Sequence, residues 1–120
     1  MNVLPFVVFV LGLPILIYCF LTFDDLVLLE RERHKAAWER DRRPFTFLRR
    51  RSEFDRSFRA GLATQRCTFT WPLMSPSWVR SDPEAGELLR RHRMFVAAWC
   101  FLVVPAFALA AALSVLAGKP

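Results

Sequence analysis

Met94 to Ala117 reads MFVAAWCFLVVPAFALAAALSVLA, a run without a charged residue. As an α-helix it would extend about 36 Å, enough to cross a hydrocarbon core about 30 Å thick. A core helix of a small soluble protein would be shorter and would carry a polar face. The run therefore predicts a membrane-spanning helix (94–117), and the rest of the chain has to be arranged around it. A second apolar segment, Val3 to Phe23, stands at the other end. It has no positively charged start and no small-residue cleavage site, and it is longer than the apolar part of a signal peptide. It reads as a second, uncleaved span. Pro14 deletes one backbone hydrogen bond at mid-span, a loss that membrane helices tolerate. The expected fold class is an all-α membrane protein, two transmembrane helices joined by a basic, partly helical segment.

That segment, residues 24–93, holds all eleven acids and sixteen of the seventeen Lys and Arg of the chain. Arg31, Arg33, Lys35, Arg40, Arg42 and Arg43 follow the first span closely. Arg80, Arg90, Arg91 and Arg93 precede the second, and beyond the spans the only charged side chain is Lys119. The positive-inside rule then places the middle segment in the cytoplasm and both termini across the membrane. A bacterial inner membrane is the expected location. Anionic lipid headgroups and other integral membrane proteins are the expected partners of so many guanidinium groups, with a homo-oligomer possible. Topology and lipid explain the charge without nucleic acid, which is not expected as a partner.

Within the middle segment, Asp24 to Arg43 is rich in helix formers and free of Gly and Pro. The first helix either continues there or restarts with Asp24 as its cap. Over about 45–60 the pattern predicts an amphipathic helix. Phe47, Leu48, Phe54, Phe58 and Leu62 fall on one arc of the helical wheel and the basic residues largely on the other. Phe47, Phe54 and Phe58 with Arg49, Arg50, Arg56 and Arg59 are therefore candidates for a membrane-surface or docking face. Thr68 to Trp71 alternates like a strand before Pro72. Trp71 and Trp78 are candidates for the membrane interface, where indoles are favoured. Ser81-Asp82-Pro83-Glu84 is a helix start, and the helix from there is expected to run through 82–117.

Neither span holds a charged residue, His, Asn or Gln, so proton relays and in-membrane haem ligation find no group to use. His34 and His92 lie outside the spans. Cys19, Cys67 and Cys100 show no metal-ligand spacing, and no phosphate loop or nucleophile elbow occurs. No cofactor, metal or catalytic residue is expected, and the chain reads as non-enzymatic. The second span does carry Ala106, Ala110, Ser114 and Gly118 at strict i+4 spacing, a ridge of small residues on which another helix can pack closely. In the first span Gly12 is the counterpart. The ridge is expected to face another protein or a second copy.

An N-terminal span, a basic middle, then a helix started by Asp-Pro that carries Arg90-Arg91-His92-Arg93 before Phe95 into a terminal apolar run make up a layout that resembles the universal stress protein B family of small bacterial membrane proteins. The resemblance covers the whole chain in layout and about twenty residues in sequence, and it implies no functional residues. The expected function is that of a small accessory or assembly subunit of a larger membrane complex, acting by helix packing and docking. The alternative is a stand-alone, stress-related protein that binds anionic lipid at the membrane surface.

Overall fold

The computed structural model describes residues 3–49, 54 and 56–118. Its regular secondary structure is all helical, and two long rods dominate it. The first, α1 (Leu4–Arg33), has 30 residues and is about 45 Å long. It continues past Pro14 and does not restart at Asp24. Leu, Glu and Arg over 24–33 favour helix strongly enough to carry it on. It stops at His34, whose backbone leaves the helical region before α2 (Lys35–Arg40) resumes.

The second rod is composite: α5 (Pro83–Ala98), a π-helical turn (Trp99–Val103) and α6 (Val104–Ala117). Asp82 caps its start, accepting hydrogen bonds from the backbone N–H groups of Glu84 and Ala85. The π turn has a local cause. Pro105 has no N–H to offer the carbonyl of Phe101, so the α-helical ladder is already broken there. One residue earlier, the N–H of Val104 reaches back five residues to the carbonyl of Trp99. Both rods are long and apolar enough to cross a membrane, and only 11% of the most apolar stretch of each is buried within the chain. An exposed apolar belt of this size marks a surface for contact with a membrane or another protein.

The rods lie side by side. At Gly12 an added Cβ would stand 2.4 Å from Val103 Cγ1 and 3.2 Å from Trp99, so only glycine permits this approach. Further along, Phe9 meets Phe107 edge-on, and Tyr18 stacks on Phe95 with ring centroids 5.1 Å apart.

Beyond Phe23 the two rods become the spine of a separate core. Phe23, Leu26, Val27 and Leu29 of α1 pack with Trp38 of α2 and Ala85 and Leu89 of α5. Cys67 of α3 (Phe58–Thr70), then Trp71, then Trp78 and Val79 of α4 (Ser77–Arg80), close that core. The result is a helical cap on one end of a hairpin, in a molecule 60 Å long and 29 Å across.

Two expectations for the middle segment are corrected. The amphipathic helix over about 45–60 does not form across 45–49. There the backbone N–H groups of Phe47, Leu48 and Arg49 all donate to the buried carboxylate of Asp24, at 2.6, 2.7 and 2.9 Å. Charge-assisted bonds from three successive amides fix an open loop that outcompetes a local helix. Residues 50–53 and 55 of that expected helix, Arg50 among them, lie outside the described residues. The helix begins instead at Phe58, where Ser57 Oγ caps it by accepting from Ala60 N–H. It runs on through the stretch expected to alternate as a strand. Thr64, Thr68 and Thr70 each turn their hydroxyl back to the carbonyl four residues earlier, which satisfies the threonines inside a helix.

Candidate functional site: an outward apolar face above a basic rim

α3 is mounted with its large side chains outward. On a wheel of 100° per residue, Ala60, Ala63, Thr64 and Cys67 fall within about 100° of each other, and all four are buried. Phe58, Leu62 and Phe69 fall within about 40° on the opposite side, and all three are exposed, Phe58 to 81%. Leu73 and Met74 continue this apolar face past the helix end, exposed at 83% and 72%. Arg59 and Arg66 flank it on one side. Arg66 donates to the carbonyl of Asp41 at 3.1 Å, and Arg59 shares a shallow cleft with Arg42 and Leu62.

The direction of α3 matters as much as its face. At its C-terminal end Trp71 packs on Phe23, with centroids 5.2 Å apart. Four residues earlier, Cys67 lies near Glu30 and Asp41. Glu30 is seven residues further along α1 than Phe23, about 10 Å. α3 therefore climbs along α1 away from the apolar belt, and its outward face climbs with it.

Below this face lies a basic rim. Arg49, Arg90 and Arg91 border an open cleft of about 430 Å³ whose other walls include Tyr18, Thr22, Met94 and Phe95. Arg49 is tied to Asp25 at 2.9 Å, while Arg90 and Arg91 share Glu87 at 2.7 and 3.4 Å. Residues far apart in sequence thus place three guanidinium groups where the apolar belt ends.

The residues singled out in the sequence divide between surface and core. Phe58, Arg49, Arg56 and Arg59 are exposed. Arg56 donates to the carbonyl of Thr46 and lies over the ring of Phe45. Phe54, Trp71 and Trp78 are not surface residues: they are exposed only to 5%, 4% and 5%. Phe47 is half-buried against Phe20 and Phe23. The reason is the length of α1. Its extension beyond Phe23 and the first half of α5 supply a core that a 70-residue loop between spans would lack. Of the small-residue ridge, Ala110 is buried at 3% while Ala106 and Gly118 are exposed and Ser114 is intermediate. Ala110 thus packs within the chain's own hairpin, as Gly12 does, and not on a foreign helix.

Asp24, His34, Glu30 and His92 organise the cap. Asp24 holds the 47–49 loop. His34 Nε2 lies 2.9 Å from Asp82 Oδ2, which ties the end of α1 to the start of α5. This contact, with the α5 amides, holds the Asp82 carboxyl below its ordinary range. Glu30 is fully buried, with the Asp41 carboxyl beside its own. Burial pushes its carboxyl up to about 10, with Asp41 beside it adding to the shift, so it is held neutral. Burial likewise pushes the Cys67 thiol up to about 12, which removes the thiolate that acylation or redox chemistry would use. His92 is buried on α5, with Nδ1 2.8 Å from Thr22 Oγ1. Sequence signals for these roles were faint, since each depends on a neighbour that only the fold brings close, such as Asp82 for His34 and Thr22 for His92.

No family model, curated protein or solved structure matches the chain. Among the described residues no group of three or more His, Cys, Asp and Glu side chains is placed to hold a metal ion.

Proposed function

We propose that the chain is a small, non-catalytic accessory or assembly subunit of a larger membrane complex. In this reading both rods cross the membrane, the cap is cytoplasmic and both termini lie opposite, in a bacterial inner membrane. The excess of Arg on the cap side supports that orientation. A relationship to the universal stress protein B family belongs to the same proposal, carried by the two-span layout and the Arg90-Arg91-His92-Arg93 run.

The reversed face of α3 is the observation that carries this reading. A helix that only completed its own core would bury Phe58, Leu62 and Phe69 and expose its alanines. Here the opposite holds. Because α3 climbs away from the apolar belt, lipid can cover only the Phe69–Leu73 end, which leaves Phe58 and Leu62 for a protein. The basic rim supports the second reading, anionic-lipid binding, since Arg49, Arg90 and Arg91 stand at headgroup level in the proposed orientation.

Mild solubilisation followed by native sizing separates the two. The parent is expected to migrate in an assembly larger than its own monomer. The double substitution Phe58→Asp with Leu62→Asp is expected to release it as a monomer at unchanged membrane level. A parent that already migrates alone would contradict the subunit reading. If that lone parent also bound anionic vesicles in preference to neutral ones, the lipid reading would stand in its place.

A further inference from the structure

A groove of about 430 Å³ runs between α5 and the segment that carries Ser75 and α4. Pro83, Gly86, Leu89, Arg90 and Arg93 line it on the α5 side. At 100° per residue these five fall within about 120° of each other. The groove therefore follows one face of α5, from the helix start down to the edge of the uncharged run that begins at Met94. Ser75 and Arg80 belong to the opposite wall.

The walls are rich in donors. Arg93 Nη2 donates to Ser75 Oγ at 3.0 Å and, more weakly, to the carbonyl of Trp71 at 3.4 Å. The first of these bonds joins the two walls and fixes the guanidinium between them. Arg93 has no carboxylate partner among the described residues, and the exposed Arg80 has neither an ion pair nor a hydrogen bond among them. Ser75 accepts from Arg93, which leaves its own hydroxyl proton to give. The third guanidinium, Arg90, is bonded to Glu87, which is not part of the groove.

The acidic wall residue, Asp82, has no acceptor to spare. Its Oδ1 takes the backbone N–H groups of Glu84 and Ala85, while Oδ2 lies 2.9 Å from His34 and 3.6 Å from Arg33. Gly86 keeps the groove open, since a Cβ built there meets nothing within 4 Å. Positive charge and free donors without a free acceptor fit an oxyanion. Two guanidinium groups that lack carboxylates match a group with two negative charges. A phosphomonoester carries about −1.5 to −2 at neutral pH, whereas a phosphodiester carries a single charge.

We propose that this groove binds a phosphomonoester, whose oxygens accept from Arg93, Ser75 and Arg80. Arg80 closes on the group through its flexible stem. The ester arrives in solution or as the headgroup of a lipid, since the lower end of the groove meets the apolar belt at Arg93. The inference is separate from α3 docking: it concerns binding to a single chain and survives if no partner exists.

Calorimetric titration of the full chain in phosphatidylcholine nanodiscs with glycerol phosphate tests it. Saturable binding, one ester per chain, is expected. Dimethyl phosphate, a diester, should need about tenfold more for half-saturation, the order of one weakened charge-assisted bond. Arg80→Gln, which breaks no contact within the chain, should weaken glycerol phosphate by a similar factor. Gly86→Leu should abolish binding by filling the groove, and leucine suits the helix better than glycine. Arg91→Gln removes the same charge about 160° round α5 from Arg93 and should leave binding in place. Discs doped to equal charge with phosphatidate or phosphatidylglycerol identify the source. Competition by phosphatidate alone marks a lipid headgroup, and competition by neither marks a soluble ester. No saturable binding, equal binding of the diester, equal loss in Arg91→Gln, full binding in Gly86→Leu, or equal competition by phosphatidylglycerol would each overturn the assignment.

Discussion

The paired rods and the cap are held together by different means. Between the rods the contact is steric: Gly12 lets Val103 and Trp99 approach to within a methyl group's width, and no buried charge is involved. In the cap the apolar core is pinned by buried polar groups. The Asp24 carboxylate collects three amides, and the Glu30 carboxyl is buried and neutral. In an apolar surrounding burial of side chains gains little, so close packing decides. In water the small cap gains from burying Trp and Phe, and a few buried polar groups select which loop conformation accompanies that burial.

The contrast predicts separable failures. The largest effect should come from Asp24→Ala. It strands three backbone donors and removes the anchor of the 47–49 loop, at a cost of about 3–5 kcal/mol to the cap. Limited proteolysis should cut the cap far faster, while the distance between spin labels at Leu11 and Leu109, both exposed, stays unchanged. Equal disturbance of both regions would show that they are one cooperative unit.

Gly12→Leu should do the reverse. A bulky group at this approach costs about 1–3 kcal/mol or forces the rods apart, so the label distance should lengthen while protease resistance of the cap persists. Ala110→Leu should act in the same direction, because Ala110 is buried within the hairpin. Val104→Leu, at an exposed position, should be nearly silent. An unchanged distance in both Gly12→Leu and Ala110→Leu would break the steric account.

Glu30 sharpens the comparison through pH. Its carboxyl is protonated in folded and unfolded chain alike below its ordinary 4.5. Between there and about 10 the unfolded chain ionises while the folded one keeps its proton. Cap stability should therefore fall as pH rises through this window, by up to about 1.4 kcal/mol per pH unit. Glu30→Gln, neutral at every pH, should flatten that slope in denaturant titrations. A slope unchanged in the variant would place the titrating group elsewhere.

The spans were legible because twenty or more uncharged residues leave few alternatives, and the π turn was not because one missing N–H at Pro105 acts through geometry. The helix start at 82–84 is local chemistry that sequence displays. The 45–60 helix was misplaced because its wheel pattern was real but weaker than three amides bonded to Asp24, a partner 23 residues away. Trp71 and Trp78 looked like surface residues because the cap seemed to have no core. That core comes from α1 continuing to Arg33, which helix propensity allowed but did not require. The outward stripe of α3 was seen only in part, as Phe58, Leu62 and Arg59, because Phe69 was assigned to a strand.

The account turns on what covers Phe58 and Leu62. A photoreactive amino acid placed at Phe58, and separately at Leu62, in the full chain in its native membrane reports the neighbour directly. The account predicts one discrete protein adduct from both positions, lost when the other position is changed to Asp, with position 113 on the apolar belt giving lipid adducts instead. Lipid adducts alone at positions 58 and 62, or none at all, would contradict it.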